Sequence, residues 1–129
     1  AEGRKFLGPA YYLHVEADKC YLAVGYWRPD KDHLALIRQE IDYNVRDLHA
    51  ALAAGAWDAQ MLSQEDLLKR PPLGYSADHP ELHLLKLKSF ILYLPLTEEA
   101  LSSHEAMPLL LDAAQRMEPF KRFLQQAID

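Results

Sequence analysis

A chain of 129 residues is long enough for one domain with its own core and too short for two. Half of the residues are apolar and 26% are charged, which excludes a disordered chain; 14 Lys and Arg against 19 Asp and Glu leave a net charge of −5, which argues against a nucleic-acid-binding face. No apolar run is long enough to cross a bilayer and no cationic start leads into one, so neither a membrane span nor a signal peptide is expected.

Cys20 is the single cysteine, so no internal disulfide forms and a reducing, cytoplasmic setting is expected. It stands in an alternating apolar stretch and reads as a small hydrophobe. Around it, residues 11–27 read YYLHVEADKCYLAVGYW. Tyr11, Leu13 and Val15 alternate with Tyr12, His14 and Glu16, the period of a half-buried strand. Ala17-Asp18-Lys19 supplies a turn, and Cys20, Leu22, Val24 and Tyr26 form one face of a second strand. Tyr21, Ala23, Gly25 and Trp27 lie opposite, so that strand has almost no polar face and is expected to be covered on both sides. The segment predicts a β-hairpin packed under helices.

Pro29-Asp30 ends the strand, and Asp30 or Asp32 is a natural helix N-cap. Leu34, Ile37 and Ile41 make an apolar stripe, Asn44 interrupts the run, and a second helix over 45–54 carries Val45, Leu48 and Leu52. Gly55 is placed as its C′ residue. Residues 57–68 fit either a short strand or an irregular packed segment. In LLKRPPLGYSADHPEL (67–82), the double proline makes an extended connector and Gly74 a turn. Asp78, Pro80 and Glu81 then predict a capped helix over about 78–88, with Leu82, Leu85 and Leu84 buried.

SFILYLPL (89–96) reads as a strand ended by Pro95, and Thr97 caps a short helix. A last helix starts near Ser103 and buries Leu110, Ala113, Ala114, Met117, Phe120, Phe123 and Leu124, with Pro119 expected to bend or split it. The fold class expected is α+β: a small, mostly antiparallel sheet built on the 11–27 hairpin, with four or five helices, as a single domain over 1–129.

Lys69, Arg70, Tyr75 and His79 are candidates to line an anion pocket, with the N-terminus of the 78–88 helix adding N–H groups. The structural reading stands against it: solvated or locally paired cations, a packed Tyr75 and a capping His79. Tyr12, Tyr21, Tyr26 and Trp27 cluster on the hairpin and suit a ligand cavity, a partner surface or plain core. His79 and His83 are four apart, but His-Pro-Glu-Leu-His lacks the glutamate of a zinc protease word, so no metal or other cofactor is expected. Cys20 has no neighbouring base, and Glu98-Glu99 fit the start of a helix rather than acid–base chemistry.

The words YYLHVEADKCYLAVGYW, LLKRPPLGYSADHPELHLLKLKSF and PLTEEAL resemble an uncharacterised bacterial family, DUF2461, over about Pro9 to Leu124. Members of that family are longer at the N-terminus, where an Arg-Asp-x-Arg-Phe word is their hallmark. Ala1–Pro9 has no such word, so the resemblance implies the family's C-terminal portion, as a natural short form or a fragment. It implies no activity. Two readings follow: a non-enzymatic cytoplasmic binding or assembly module, or an enzyme or ligand-binding protein acting on an anionic compound at residues 69–79. Trp27 joins the ligand-binding candidates. A homodimer through the 11–27 hairpin is expected, because Tyr11–Glu16 lacks the lysines and prolines that protect an edge strand.

Overall fold

The computed structural model describes residues 8–129. Its sheet has three antiparallel strands in the order β1-β2-β3: β1 Ala10–Glu16, β2 Lys19–Tyr26 and β3 Phe90–Leu96. β1 and β2 form the expected hairpin, closed by Glu16 opposite Lys19 across Ala17-Asp18. Asp18 takes φ 64 in that turn, which Asp tolerates better than most residues, and its N–H donates to Glu98 at 3.0 Å. β2 is the middle strand, and its Leu22, Ala23, Val24 and Tyr26 are buried, as its missing polar face predicts.

Strand register sorts the side chains into two faces. Leu22 stands between Leu13 and Leu94, and Val24 between Tyr11 and Leu92, all on the face that meets the helices. Helix α1 (Lys31–Ala53) and the one-turn α2 (Leu82–Leu85) precede β3; α3 (Glu98–Ser102) and α4 (Ala106–Ile128) follow it. α4 lies on β2 and α1 packs against α4. Ile37, Ile41, Leu48 and Leu52 of α1 share one core with Met117, Phe120, Phe123 and Leu124 of α4 and with Leu22, Val24 and Leu92 of the sheet. The architecture is α+β.

The helix ends follow local chemistry. Asp30 caps α1 by accepting the His33 N–H at 2.8 Å, and Thr97 caps α3 by accepting the Ala100 N–H at 3.0 Å. Asn44 interrupts α1 as its position suggested, with φ −134 and ψ 44. α4 starts at Ala106, just after Ser103 accepts the Glu105 N–H, and continues through Pro119 rather than splitting there.

Two expectations are corrected. Gly55 is not the left-handed residue that ends α1. Ala56 takes that conformation (φ 70), and Trp57 closes the end with an N–H to the Leu52 carbonyl. Gly55 is required for another reason: a Cβ there would lie 2.4 Å from the Arg116 carbonyl and the Trp57 ring. The predicted 78–88 helix is one turn, and Glu81 rather than Asp78 precedes it without a side-chain cap. Ser76 and His79 hold the preceding backbone in turns through their own side chains, and Leu87 leaves the helix to pair with Leu67. Residues 57–68 take the irregular alternative: a short 3-10 turn, then single bridges from Leu62 to Leu92 and Leu67 to Leu87.

Gly25 sets how closely β2 and β3 approach. It has φ 146, and a Cβ would fall 1.8 Å from the Phe90 carbonyl oxygen. Backbone cannot yield as a flexible side chain can. Gly25→Ala is expected to destabilise the fold by at least about 2 kcal/mol, read as a lower urea midpoint.

Candidate functional site

The 67–82 loop is pinned at its start, and Pro72, Tyr75 and His79 turn inward while Leu73, Gly74 and residues 76–78 are exposed. The Leu68 N–H donates to the Lys86 carbonyl at 2.8 Å, Pro72 is buried, and Gly74 turns the chain with φ 92. Tyr75 and His79 meet edge-on at 6.0 Å. The Nδ1 of His79 accepts the Glu81 N–H at 2.9 Å, so its proton belongs on Nε2, which lies 2.6 Å from Asp42 of α1. Both ring nitrogens are therefore engaged. Burial raises the Tyr75 hydroxyl's pKa, with the charges of Asp42 and Tyr43 adding to it. Arg38 completes the clasp, donating to the carbonyls of Leu85 at 2.7 Å and Leu87 at 3.2 Å.

The sequence-predicted site residues thus divide. Tyr75 and His79 face α1, while Lys69 and Arg70 are exposed, and no acidic side chain pairs with either among the described residues. His83 is exposed and shares no ligand set with His79; among the described residues no three His, Cys, Asp or Glu are placed to hold a metal. Cys20 is buried, its thiol donating to the Glu16 carbonyl at 3.5 Å.

Trp27 belongs to a different surface. The sheet face away from the helices carries a groove of about 400 Å³ lined by Tyr12, His14, Tyr21, Ala23, Trp27, Ile91 and Tyr93. Its cause is the register: Ala23 stands between Tyr12 on β1 and Tyr93 on β3, so a methyl group separates two tyrosine rings. Beside it His14 stacks on Tyr21 with ring centres 4.8 Å apart, and Tyr93 meets Tyr21 edge-on at 5.0 Å. His14 Nε2 lies 2.7 Å from Glu16, and that hydrogen bond, followed by the His14 charge, holds the Glu16 carboxyl below its ordinary range. Burial raises the hydroxyls of Tyr12 and Tyr93.

A polar hub supports the groove's Trp27 end. Arg28 has φ 48, and its N–H donates to the buried Ser89 hydroxyl at 2.9 Å. Ser89 in turn donates to Asp66 at 3.2 Å, and Asp66 pairs with Arg28 at 3.2 Å and Lys88 at 3.7 Å. The Arg28 guanidinium lies 5.5 Å from the Trp27 ring centre. Of the four hairpin aromatics singled out from sequence, Tyr12, Tyr21 and Trp27 line the groove. Tyr26 is in the core, its hydroxyl 2.6 Å from His33 Nδ1. Tyr93 was missed as a lining residue, and only alternation with Ile91 and Pro95 hinted at its face.

A third feature is the free edge. Among the described residues no strand pairs with the outer edge of β1. Leu13 and Val15 point toward the helices yet remain 50% and 65% exposed. With Leu101 and Leu110 they line an apolar hollow of about 540 Å³.

Residues 1–123 match the family described as Conserved hypothetical protein (DUF2461). The chain belongs to DUF2461. The match takes in Ala1–Pro9 as well, ahead of the words that carry the resemblance. No curated protein and no solved structure matches the chain. In this DUF2461 chain the Asp78-His79-Pro80 word is part of the fold's framework, because His79 joins the loop to α1. Asp42→Ala leaves the His79 Nε2–H without its acceptor in a site about one-fifth exposed. It is expected to cost about 1–2 kcal/mol in urea unfolding, with Asp42→Asn costing less.

Proposed function

We propose that this chain is a non-enzymatic cytoplasmic binding and assembly module that joins a second copy of itself through the β1–β2 hairpin. The observation that carries this is the outer edge of β1, unpaired among the described residues, beside Leu13 and Val15, apolar side chains of the helix-facing side left half exposed or more. The edge is self-complementary. A two-fold antiparallel pairing centred on Leu13 sets Tyr11 against the partner's Val15 and Tyr12 against the partner's His14. Apolar residues then meet apolar ones on one face, and aromatic rings meet on the other. The non-enzymatic reading is supported by His79, whose ring nitrogens are both held by Glu81 and Asp42 and so leave no lone pair for proton transfer. A lone, buried Cys20 fits a reducing compartment.

Light scattering at micromolar concentration is expected to give about twice 14.8 kDa, from a contact burying more than about 1,000 Å². Val15→Lys puts a charge on the edge and is expected to return the mass to one chain with an unchanged circular dichroism spectrum. A single-chain mass for the unsubstituted protein sinks this reading.

A second reading rests on Lys69 and Arg70, two exposed cations on a stiff proline connector with no acidic partner among the described residues. It makes the loop a site for a small phosphate or carboxylate compound. Arg70→Ala is then expected to weaken pyrophosphate or citrate binding by about 10- to 150-fold with the melting temperature kept, since hydrogen bonds to a charged group are worth about 1.5–3 kcal/mol. Unfolding on the same substitution assigns Arg70 to the framework instead.

A further inference from the structure

The groove on the outer sheet face is built from rings, and no Lys or Arg is among its lining residues. His14 covers one face of Tyr21 and is paired with Glu16, and ring faces carry the negative lobes of their quadrupoles, so the Tyr12, Tyr93 and Trp27 rings suit a positive, weakly hydrated group. Carboxylates stand at its rim rather than inside it. Glu16 lies against His14 at 2.7 Å, and Glu65 and Asp18, with Lys19 as the one cation, line the adjoining hollow with Tyr21 and Tyr93. A chain of net charge −5 favours the same sign of ligand, and the same rim disfavours an anion. Trp27 already holds one cation, since the Arg28 guanidinium lies 5.5 Å from its ring and is itself neutralised by Asp66. We infer that the groove binds the methylated ammonium group of a small soluble molecule.

The floor explains the preference for a compact head group. Ala23 and Ile91 are buried and apolar, so a strongly hydrated primary amine would lose water hydrogen bonds there without replacement. Methyl groups around the nitrogen spread the charge and shed water easily. The groove shares Tyr12 and His14 with the proposed pairing, while Ala23, Ile91, Tyr93 and Trp27 lie away from the β1 edge.

Calorimetric titration of the full chain with choline chloride, against its neutral isostere 3,3-dimethylbutanol, tests the charge requirement. Saturable choline binding is expected, with the isostere at least tenfold weaker. Trp27 is 63% exposed, so Trp27→Ala is expected to keep the fold while weakening choline at least fivefold; Tyr93→Ala is expected to act the same way. Leu111→Gln, on the exposed side of α4 and outside the groove lining, is expected to leave choline binding unchanged. Equal binding of the isostere, no saturable binding of choline, or unchanged affinity in Trp27→Ala overturns the assignment. So does loss of choline binding in Leu111→Gln. A trimethyl-lysine peptide binding more than tenfold tighter than choline would move the site to protein tails and overturn the small-molecule reading.

Discussion

β2 pairs with β1 along one edge and β3 along the other, and it is buried from Leu22 to Tyr26. Its contact with β3 is held close by Gly25, where the Phe90 carbonyl occupies the space a side chain would need. The other placements follow from this. Leu22, Val24 and Tyr26 give α4 a surface to cover, and α1 closes over α4. The opposite side of the same strand offers only Ala23 and Gly25 between flanking aromatics, which produces the groove. Small residues at the centre of a sheet thus shape both the packed face and the open one.

Two polar centres hold the irregular segments in place where no ladder does. Asp42 and His79 join the proline loop to α1, and Asp66 gathers Arg28, Lys88 and Ser89 at the end of β2. Their energetic weights differ. The Arg28 side chain is more than half exposed, so solvent screens its pair with Asp66, and positioning matters there more than stability. Ser89 is buried, and its hydroxyl satisfies both the strained Arg28 N–H and Asp66. The turn that carries Trp27 is rigid for that reason, although its indole stands in solvent.

The sheet therefore presents two distinct surfaces. Among the described residues its β1 edge pairs with no further strand and carries half-exposed aliphatic side chains, which suits another strand. Its outer face has rings around a small hollow, suited to a compact head group. In the loop whose sequence is most distinctive, KRPPLGYSADHP, Pro72 is buried and His79 is tied to α1. Lys69, Arg70, Leu73, Ser76 and Asp78 are among its exposed residues.

Much of the architecture was written in local patterns. Alternation over 11–27 marked the hairpin, and the apolar faces of α1 and α4 gave Ile37, Ile41, Met117 and Phe120 as core. Asp30 and Thr97 marked helix starts and Asn44 a break, because each acts through neighbours within a turn of the chain. What local pattern left undecided depended on partners far away. The 78–88 helix shrank to one turn because Leu67 draws Leu87 into a bridge and Asp42 holds His79, contacts spanning 20 residues or more. Gly55 was read as a helix stop, but the nearby Arg116 carbonyl and Trp57 ring require it. The groove is likewise a matter of register: Tyr12, Ala23 and Tyr93 come together only when three strands align, and a slip of one residue would turn each ring to the other face.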